Sequence, residues 1–566
     1  MSLLSRFEKY AVYLAPIFVL VAFLPSMLIG VKYTHDVLFH LSWFMSFIEE
    51  LKNGVLYPRW LPTQFDGLGA PTLFFYPPFT NYFFSLIHFI TFQAMPADKL
   101  LALSAFLMAG LSGFGFYVWI KNHTSRLVAI VAATAFAIAP YHVLIDYYDR
   151  GAFAEFAAYI WIPFVFAGIY HVAHGRLNWC AALSVSICGL FLTHLLTAVV
   201  IAPGAAIYAL TLLKRDKILS ADNLKTVGIL AISGLIGVGM AAFYFTPALT
   251  MNDFVNFKAL YWPIEGSYLH KAPGLPWEGS AIFLKKLFII ATIYLCFAAY
   301  LTLEIFAAWK EKPKGLLWTA IVFFTYAIMC GFLSFLFREP SPYREVQFVW
   351  RFLVLTEFSI IAAAAIMIRG AQGHKRQTRL AVISALMFLG MTGIQFANIA
   401  KKSYEDRDVK VMGHERIEMR ISSPEYFPDG AHIATLIGER KEMARAIKKY
   451  TRADKQAFIQ SGSGVIKSVS RRSSEFTINA GLKTDATIVL HQFFFPGWKA
   501  SDETGREIGL RPETNNKLIG FDLPAGDHQV TIKRVITDQQ KIGGIITLIS
   551  LALLFAMALA AKRYRS

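Results

Sequence analysis

Apolar runs of roughly 20 residues alternate with short polar gaps along most of this chain, and each run is long enough to cross the ~30 Å hydrocarbon core of a bilayer as a helix. Spans are predicted near 10–30, 99–120, 127–145, 153–171, 179–194, 198–213, 226–248, 283–308, 316–336, 351–368, 378–397 and 541–561. One further run, 76–92, opens Tyr76-Pro77-Pro78-Phe79. Counting it gives thirteen crossings, and omitting it gives twelve. Between 398 and 540 the pattern changes. Residues 398–450 mix charges with helical stretches such as 442–447, and from about Gly464 short alternating runs follow at 474–478, 487–495, 517–523 and 528–533. The turn signals Pro496-Gly497 and Pro524-Ala525-Gly526 separate them, which predicts a small antiparallel β-domain.

Charge sorts the gaps into two sides. Of 566 residues, 55% are hydrophobic and only 16% charged, yet the formal net charge is +17. The clustered Lys and Arg fall in seven gaps: Arg6 and Lys9, 121–126, around Arg176, 214–225, 310–314, 369–379 and 562–565. Short loops rich in Lys and Arg stay in the cytoplasm. Only the twelve-span count puts all seven there, so 76–92 is expected to be an interfacial helix that does not cross. The termini are then cytoplasmic and 398–540 exoplasmic. Because the basic residues flank apolar spans, they read as headgroup anchors, and the charge calls for no nucleic acid. The first run lacks a clean cleavage site and reads as a retained span. All four cysteines lie in spans, which indicates neither a disulfide framework nor a cysteine metal site.

The gaps left on the other side hold acids, histidines, arginines and aromatics. The first loop reads Thr34-His35-Asp36-Val37-Leu38-Phe39-His40; a helix starting near Asp36 would put Asp36 and His40 on one face. A carboxylate at a cavity mouth suits a general base, and an Asp at that place equally suits a helix N-cap. The second loop carries Asp146, Asp149, Arg150 and Glu155, charges expensive near hydrocarbon unless paired or functional. Arg150 fits either a surface pair with Asp149 or a phosphate ligand. His194 lies at a tight turn, as a satisfied polar group or a pocket residue. Arg344 and Arg351 head a late span, where their forks suit a lipid phosphate or snorkel to headgroups. Trp498 fits a domain core better than a sugar platform.

Taken in order, several motifs resemble a known family. They are His35-Asp36 with His40, Leu68-Gly69-Ala70-Pro71 with Phe75-Tyr76-Pro77-Pro78, and Tyr148-Asp149-Arg150-Gly151-Ala152 with Glu155. Thr193-His194-Leu195, Gln347-Phe348-Val349-Trp350-Arg351-Phe352, Pro424-Glu425-Tyr426-Phe427-Pro428 and Phe495-Pro496-Gly497-Trp498 follow. The chain resembles the GT-C superfamily of membrane glycosyltransferases, and more narrowly the YfhO-like and "6-pyruvoyl-tetrahydropterin synthase-related" bacterial membrane proteins. The resemblance implies a polytopic α-helical membrane protein of about 12 transmembrane helices, with a GT-C-like module over 1–397 whose first exoplasmic loop, 31–98, carries interfacial helices. An exoplasmic α+β or β-sandwich-like domain would follow over 398–540, and a last helix with a cytoplasmic tail over 541–566. It implies sugar transfer on the outer face of a bacterial cytoplasmic membrane, from an undecaprenyl-phosphate-linked sugar to a cell-envelope glycan or protein. Asp36 would be the catalytic base; His35, His40, Asp149, Glu155 and His194 would shape the pocket; Arg150, Arg344 and Arg351 would meet the lipid phosphate. Mg2+ or Mn2+ is a conceivable cofactor held by Asp149, Glu155 and His194, although Asp146 and Asp149 are three apart and form no Asp-x-Asp motif. Two other classes fit twelve spans: a transporter or flippase of lipid-linked sugars, and a non-catalytic glycan-binding membrane protein. Ionisable residues gathered at one face rather than in mid-span favour the enzyme.

Overall fold

The computed structural model describes residues 3–32, 34–214, 219–257, 264–276, 280–311, 314–338, 341–405, 423–436 and 456–563. Nine of the described helices are long and apolar enough to cross a membrane, so the chain is a multi-pass membrane protein: Tyr10–Ile29, Ala97–Ile120, Arg126–Arg150, Phe153–Ala173, Ala221–Met240, Ala281–Ala307, Val349–Gly370, His374–Lys401 and Asp538–Ala561. The expected spans at 179–194, 198–213 and 316–336 correspond to shorter apolar helices, Trp179–Thr193, Leu195–Thr211 and Leu316–Met329. The bundle core is crowded around Val349–Gly370, whose window is 94% buried, whereas Asp538–Ala561 is 11% buried and presents its apolar faces outward. A helix apolar all round needs lipid or protein on every side, and these two extremes mark the centre and the rim.

Three expected spans are interrupted. The one near 127–145 is α-helical only to Ala137; Pro140 then leads into a π-helical segment, Tyr141–Arg150, which ends on left-handed Gly151. The one near 226–248 breaks between Met240 and Ala242. The one near 316–336 stops at Met329 and turns into 3-10 structure. The 76–92 run forms a helix only over Phe79–Ile90. At 1.5 Å per residue it is about 18 Å long, short of the ~30 Å core. It buries Phe84 against Phe44 and Phe153 while Leu86, Phe89 and Ile90 stay exposed.

The two ends of the bundle differ in chemistry. At one end the basic gaps converge. Thr124 donates to the Ala365 carbonyl, the His123 ring packs on Tyr170, and Arg376 and Arg379 both bind Glu304. The other end carries the β-domain, a sandwich of two antiparallel sheets. Its strands are β1 (Ala457–Ser461), β2 (Gly464–Arg472), β3 (Glu475–Leu482), β4 (Ala486–Phe493), β5 (Trp498–Ser501), β6 (Glu507–Ile508), β7 (Arg511–Glu513), β8 (Leu518–Leu523) and β9 (Gly526–Arg534). The sheet orders are β1-β4-β8-β7 and β2-β3-β9-β5-β6. Alternating residues such as Ile478, Ala480, Ile488, Leu490, Val530 and Ile532 fill the space between them. Trp498 is buried there, edge-on to Trp60. The expected helical stretch 442–447 lies outside the described residues.

The first loop seats this domain on the bundle. Gln492 of β4 donates to the carbonyls of Pro62 and Gly67 and accepts from the Trp60 indole, and the Phe493 amide donates to the Leu68 carbonyl. Gly69 adopts φ +79°, and a Cβ there would collide with Gln492 and Trp60, so only glycine fits.

Candidate functional site: a carboxylate at the rim of a buried arginine network

Asp36 precedes the Val37–Lys52 helix as its N-cap residue, but its side chain makes no capping bond. The carboxylate is instead 39% exposed, with Oδ2 4.0 Å from Arg150 Nη2. The backbone holds this pairing. The Arg150 carbonyl accepts from both the Thr34 hydroxyl and the Asp36 amide, each at 2.8 Å. Gly151, at φ +67°, makes the approach possible, because a Cβ there would overlap Val37 and Thr34.

Behind Asp36 the charges are buried and paired. Arg150 Nη1 donates to Asp146 Oδ1 at 2.7 Å and to Glu155 Oε2 at 2.8 Å. Glu155 Oε2 also accepts from Arg351 Nε at 3.2 Å, and its Oε1 accepts from the Tyr141 hydroxyl at 2.6 Å. Arg351 Nη1 is held by the Val346 carbonyl and Gln347 Oε1. Glu155 thus bridges two arginines on different helices. Removing one partner from such a buried cluster strands the rest, at about 3–5 kcal/mol. Among the described residues Arg150 Nη2 meets only Asp36, at 4.0 Å, and Arg351 Nη2 makes no hydrogen bond.

His40 is buried against Trp43, Tyr76 and Phe153, with Nε2 3.4 Å from the Tyr76 hydroxyl. Burial pulls its pKa down to about 4 despite the opposing pull of Asp36, so the ring is neutral near pH 7. His194 caps the Leu195–Thr211 helix through Nδ1, which accepts from the Thr197 amide and contacts its hydroxyl at 2.7 Å. Its electrostatic neighbours are Glu155, Arg351, Arg150 and His40, so it belongs to the same cluster.

Two expected pocket residues, His35 and Asp149, and one expected phosphate ligand, Arg344, lie outside this cluster. His35 is exposed and packs on Phe283. Asp149 points away from Arg150 and binds Lys286 at 3.0 Å, because adjacent residues on a helix face different directions. Arg344 is exposed on the 3-10 turn Pro342–Val346. This separation breaks up the expected cation ligands: Asp149 is tied to Lys286 and Glu155 to two arginines. Among the described residues no group of three or more His, Cys, Asp or Glu side chains is placed to hold a metal ion. The Asp149–Glu155–His194 set does not fit Mg2+ or Mn2+.

Three further groups belong to the site's architecture. Asp146 completes the Arg150 clamp, and its i,i+4 spacing to Arg150 was the available signal. Glu357, the one acid in the Val349–Gly370 span, accepts from the Tyr141 and His142 amides and the Tyr159 and Tyr294 hydroxyls. It satisfies the amides opening the π-helical segment, and a lone acid in a span was its signal. Glu425 is buried in the strap Ser423–Leu436, which crosses the aromatic face of the first loop through Tyr426 on Trp43 and Phe75. Burial pushes the Glu425 carboxyl up to about 7; the Ser423 hydroxyl works against that and the Asp36 charge adds to it.

No model of a known protein family matches the sequence. A protein of Lactococcus lactis subsp. cremoris (strain MG1363), described only as uncharacterized, is 27% identical over 256 residues, covering 44% of this chain and 40% of the relative. The chain therefore matches less than half the length of that relative. Among solved structures, the cryo-EM structure of the arabinofuranosyltransferase AftD from mycobacteria aligns at 13% identity and a TM-score of 0.43, over 70% of this chain and 28% of AftD. A likeness of that degree decides neither fold nor activity.

Proposed function

We propose that this chain is an integral-membrane glycosyltransferase of GT-C type. It moves a sugar from a polyprenyl-phosphate donor to a cell-envelope acceptor on the exoplasmic face of a bacterial cytoplasmic membrane. The observation that carries the reading is the state of Asp36: an uncapped, part-exposed carboxylate fixed 4.0 Å from a buried arginine. The order of motifs that the sequence shares with GT-C proteins is its second support.

In this mechanism Asp36 takes the proton of the acceptor hydroxyl as that oxygen attacks the anomeric carbon. The bond from that carbon to the lipid-phosphate oxygen breaks in line, its electrons leave on the phosphate, and the sugar inverts. Phosphate is a good leaving group, so an acid is not required. The Nη2 groups of Arg150 and Arg351 would supply donors to the charge that develops on the leaving phosphate, and preorganised donors there lower the barrier most. Arg344, exposed on the same loop as Arg351, meets the lipid phosphate further out. His40, neutral and packed on Tyr76, shapes the acceptor pocket, and His194 offers Nε2 to the sugar. No step is assigned to a metal ion.

The test is transfer by purified protein from undecaprenyl-phosphate-linked sugars to envelope acceptors. Asp36→Asn, expressed and folded like wild type, is expected to lower turnover by at least 100-fold, the scale of a lost general base. Transfer retained within a few-fold would remove Asp36 from the role of base.

A further inference from the structure

Two arginines at the junction of the β-domain and the bundle carry charge with no acid beside them among the described residues. Arg534 ends β9, four residues before the final helix Asp538–Arg563, and its guanidinium lies among four rings. Trp60 and Trp498 are both 5.1 Å away, Phe74 is 5.2 Å and Phe495 5.4 Å. Arg59, in the first loop, sits 4.2 Å from the Tyr57 ring and 5.7 Å from Phe74, the ring that Arg534 also meets. Each guanidinium is anchored by one nitrogen. Arg534 Nη2 donates to the Pro496 carbonyl and Arg59 Nη2 to the Phe243 carbonyl, both at 2.7 Å.

The other terminal nitrogen of each is left over. Arg59 Nη1, Arg534 Nη1 and the neighbouring Trp498 Nε1 are buried and have no hydrogen-bond acceptor among the described residues. Burial works against both charges, and Arg59 adds to the strain on Arg534; no carboxylate offsets either. Cation–π contacts return less than a buried unpaired charge costs. Arginine does not escape by losing its proton. The arrangement is short of one anion.

We propose that Arg59, Arg534 and Trp498 Nε1 form a binding site for a phosphoryl group at the membrane surface, separate from the Asp36–Arg150 cluster. Two guanidinium forks and an indole N–H match the several acceptor oxygens of a phosphate better than a single carboxylate. Its position suits a lipid headgroup: Phe243, whose carbonyl anchors Arg59, also donates its amide to Thr547 within the final membrane helix. Both arginines are partly exposed as whole residues, whereas their unpaired Nη1 atoms are buried. The inference does not depend on the glycosyltransferase reading.

The experiment uses the full chain, delipidated in detergent, and follows thermal unfolding with phosphatidic acid, with diacylglycerol of the same tails, and with inorganic phosphate against chloride at equal ionic strength. Phosphatidic acid is expected to raise the Tm and diacylglycerol to leave it unchanged. A shift with inorganic phosphate as well would identify the phosphoryl group itself, without the tails, as sufficient. Arg59→Gln and Arg534→Gln are each expected to weaken the apparent affinity roughly tenfold or more, the scale of one lost charge-assisted contact. Should either fail to fold, Arg59→Lys keeps the charge without the fork, and weakened binding by it supports the site. The proposal is overturned if no phosphate compound shifts wild type, or if the variants bind as wild type does.

Discussion

At the scale of single residues, the site depends on which way neighbouring side chains point. Asp149 and Arg150 are adjacent, yet one binds Lys286 and the other faces Asp36. Glu155 is the residue with most to lose. Its Oε2 serves both Arg150 and Arg351, so Glu155→Gln leaves two buried guanidinium groups without their shared charge. The expected loss is about 3–5 kcal/mol of stability, read as a lower unfolding temperature in detergent. Gly151→Ala is expected to act differently: it forces a Cβ into Val37 and Thr34, so the loop carrying Asp36 separates from Arg150 and turnover falls more than stability does. Parallel activity and melting measurements on that variant distinguish the two effects. Asp36, Arg150, Glu155, His194 and Arg351 could be picked from the chain because charge at a span boundary is costly and therefore informative. His35, Asp149 and Arg344 share that property and lie elsewhere, since composition at a boundary carries no direction. Glu357 was not read from the sequence, and Glu425 only as part of a motif, because groups that define their surroundings, such as Tyr141 and Asp36, lie far away in the chain.

At the scale of elements, the strap that carries Glu425 has a pH signature. Its carboxyl titrates near 7 in the folded protein against 4.5 as an ordinary carboxylate, so the folded state holds the proton more tightly. Stability from this group is complete below about pH 4.5 and is lost as pH rises towards and through 7, a change on the order of 3 kcal/mol. Glu425→Gln, neutral throughout, is expected to flatten that part of the stability–pH profile and to be the more stable form above pH 7. An unchanged slope in the variant would assign the titration elsewhere. The elements themselves were legible in proportion to their periodicity. The alternating runs at 474–478, 487–495, 517–523 and 528–533 correspond to β3, β4, β8 and β9, whereas β1, β2, β5, β6 and β7 were not anticipated. β6 and β7, two and three residues long, are too short to show a period. The break at Pro140 was visible as a proline in an apolar run, but not the π-helical turn beyond it, whose opening amides depend on the distant Glu357.

At the scale of the whole molecule, one short helix sets the sidedness. If Phe79–Ile90 stays on the surface, the first loop, the π-helical corner, Arg351 and the β-domain share one side and the basic loops the other. Single cysteines in that helix and in 121–126 are expected to label from opposite faces of intact cells, the first from outside. Labelling of both from one side would undo the assignment. This expected layout rests on the apolar runs and the distribution of Lys and Arg, because bilayer thickness and loop charge act on the sequence locally. The seating of the β-domain was not readable, since Gln492 meets Trp60 and Gly67 across more than 400 residues. The central claim, sugar transfer that depends on Asp36, is tested most directly by mass spectrometry of lipid-linked sugars and envelope glycans. The strains to compare lack the gene or carry either wild type or Asp36→Asn in its place. The account predicts that the polyprenyl-phosphate sugar accumulates and one envelope sugar disappears in both the deletion and Asp36→Asn strains, while wild type restores both. Restoration of the missing sugar by Asp36→Asn would contradict it.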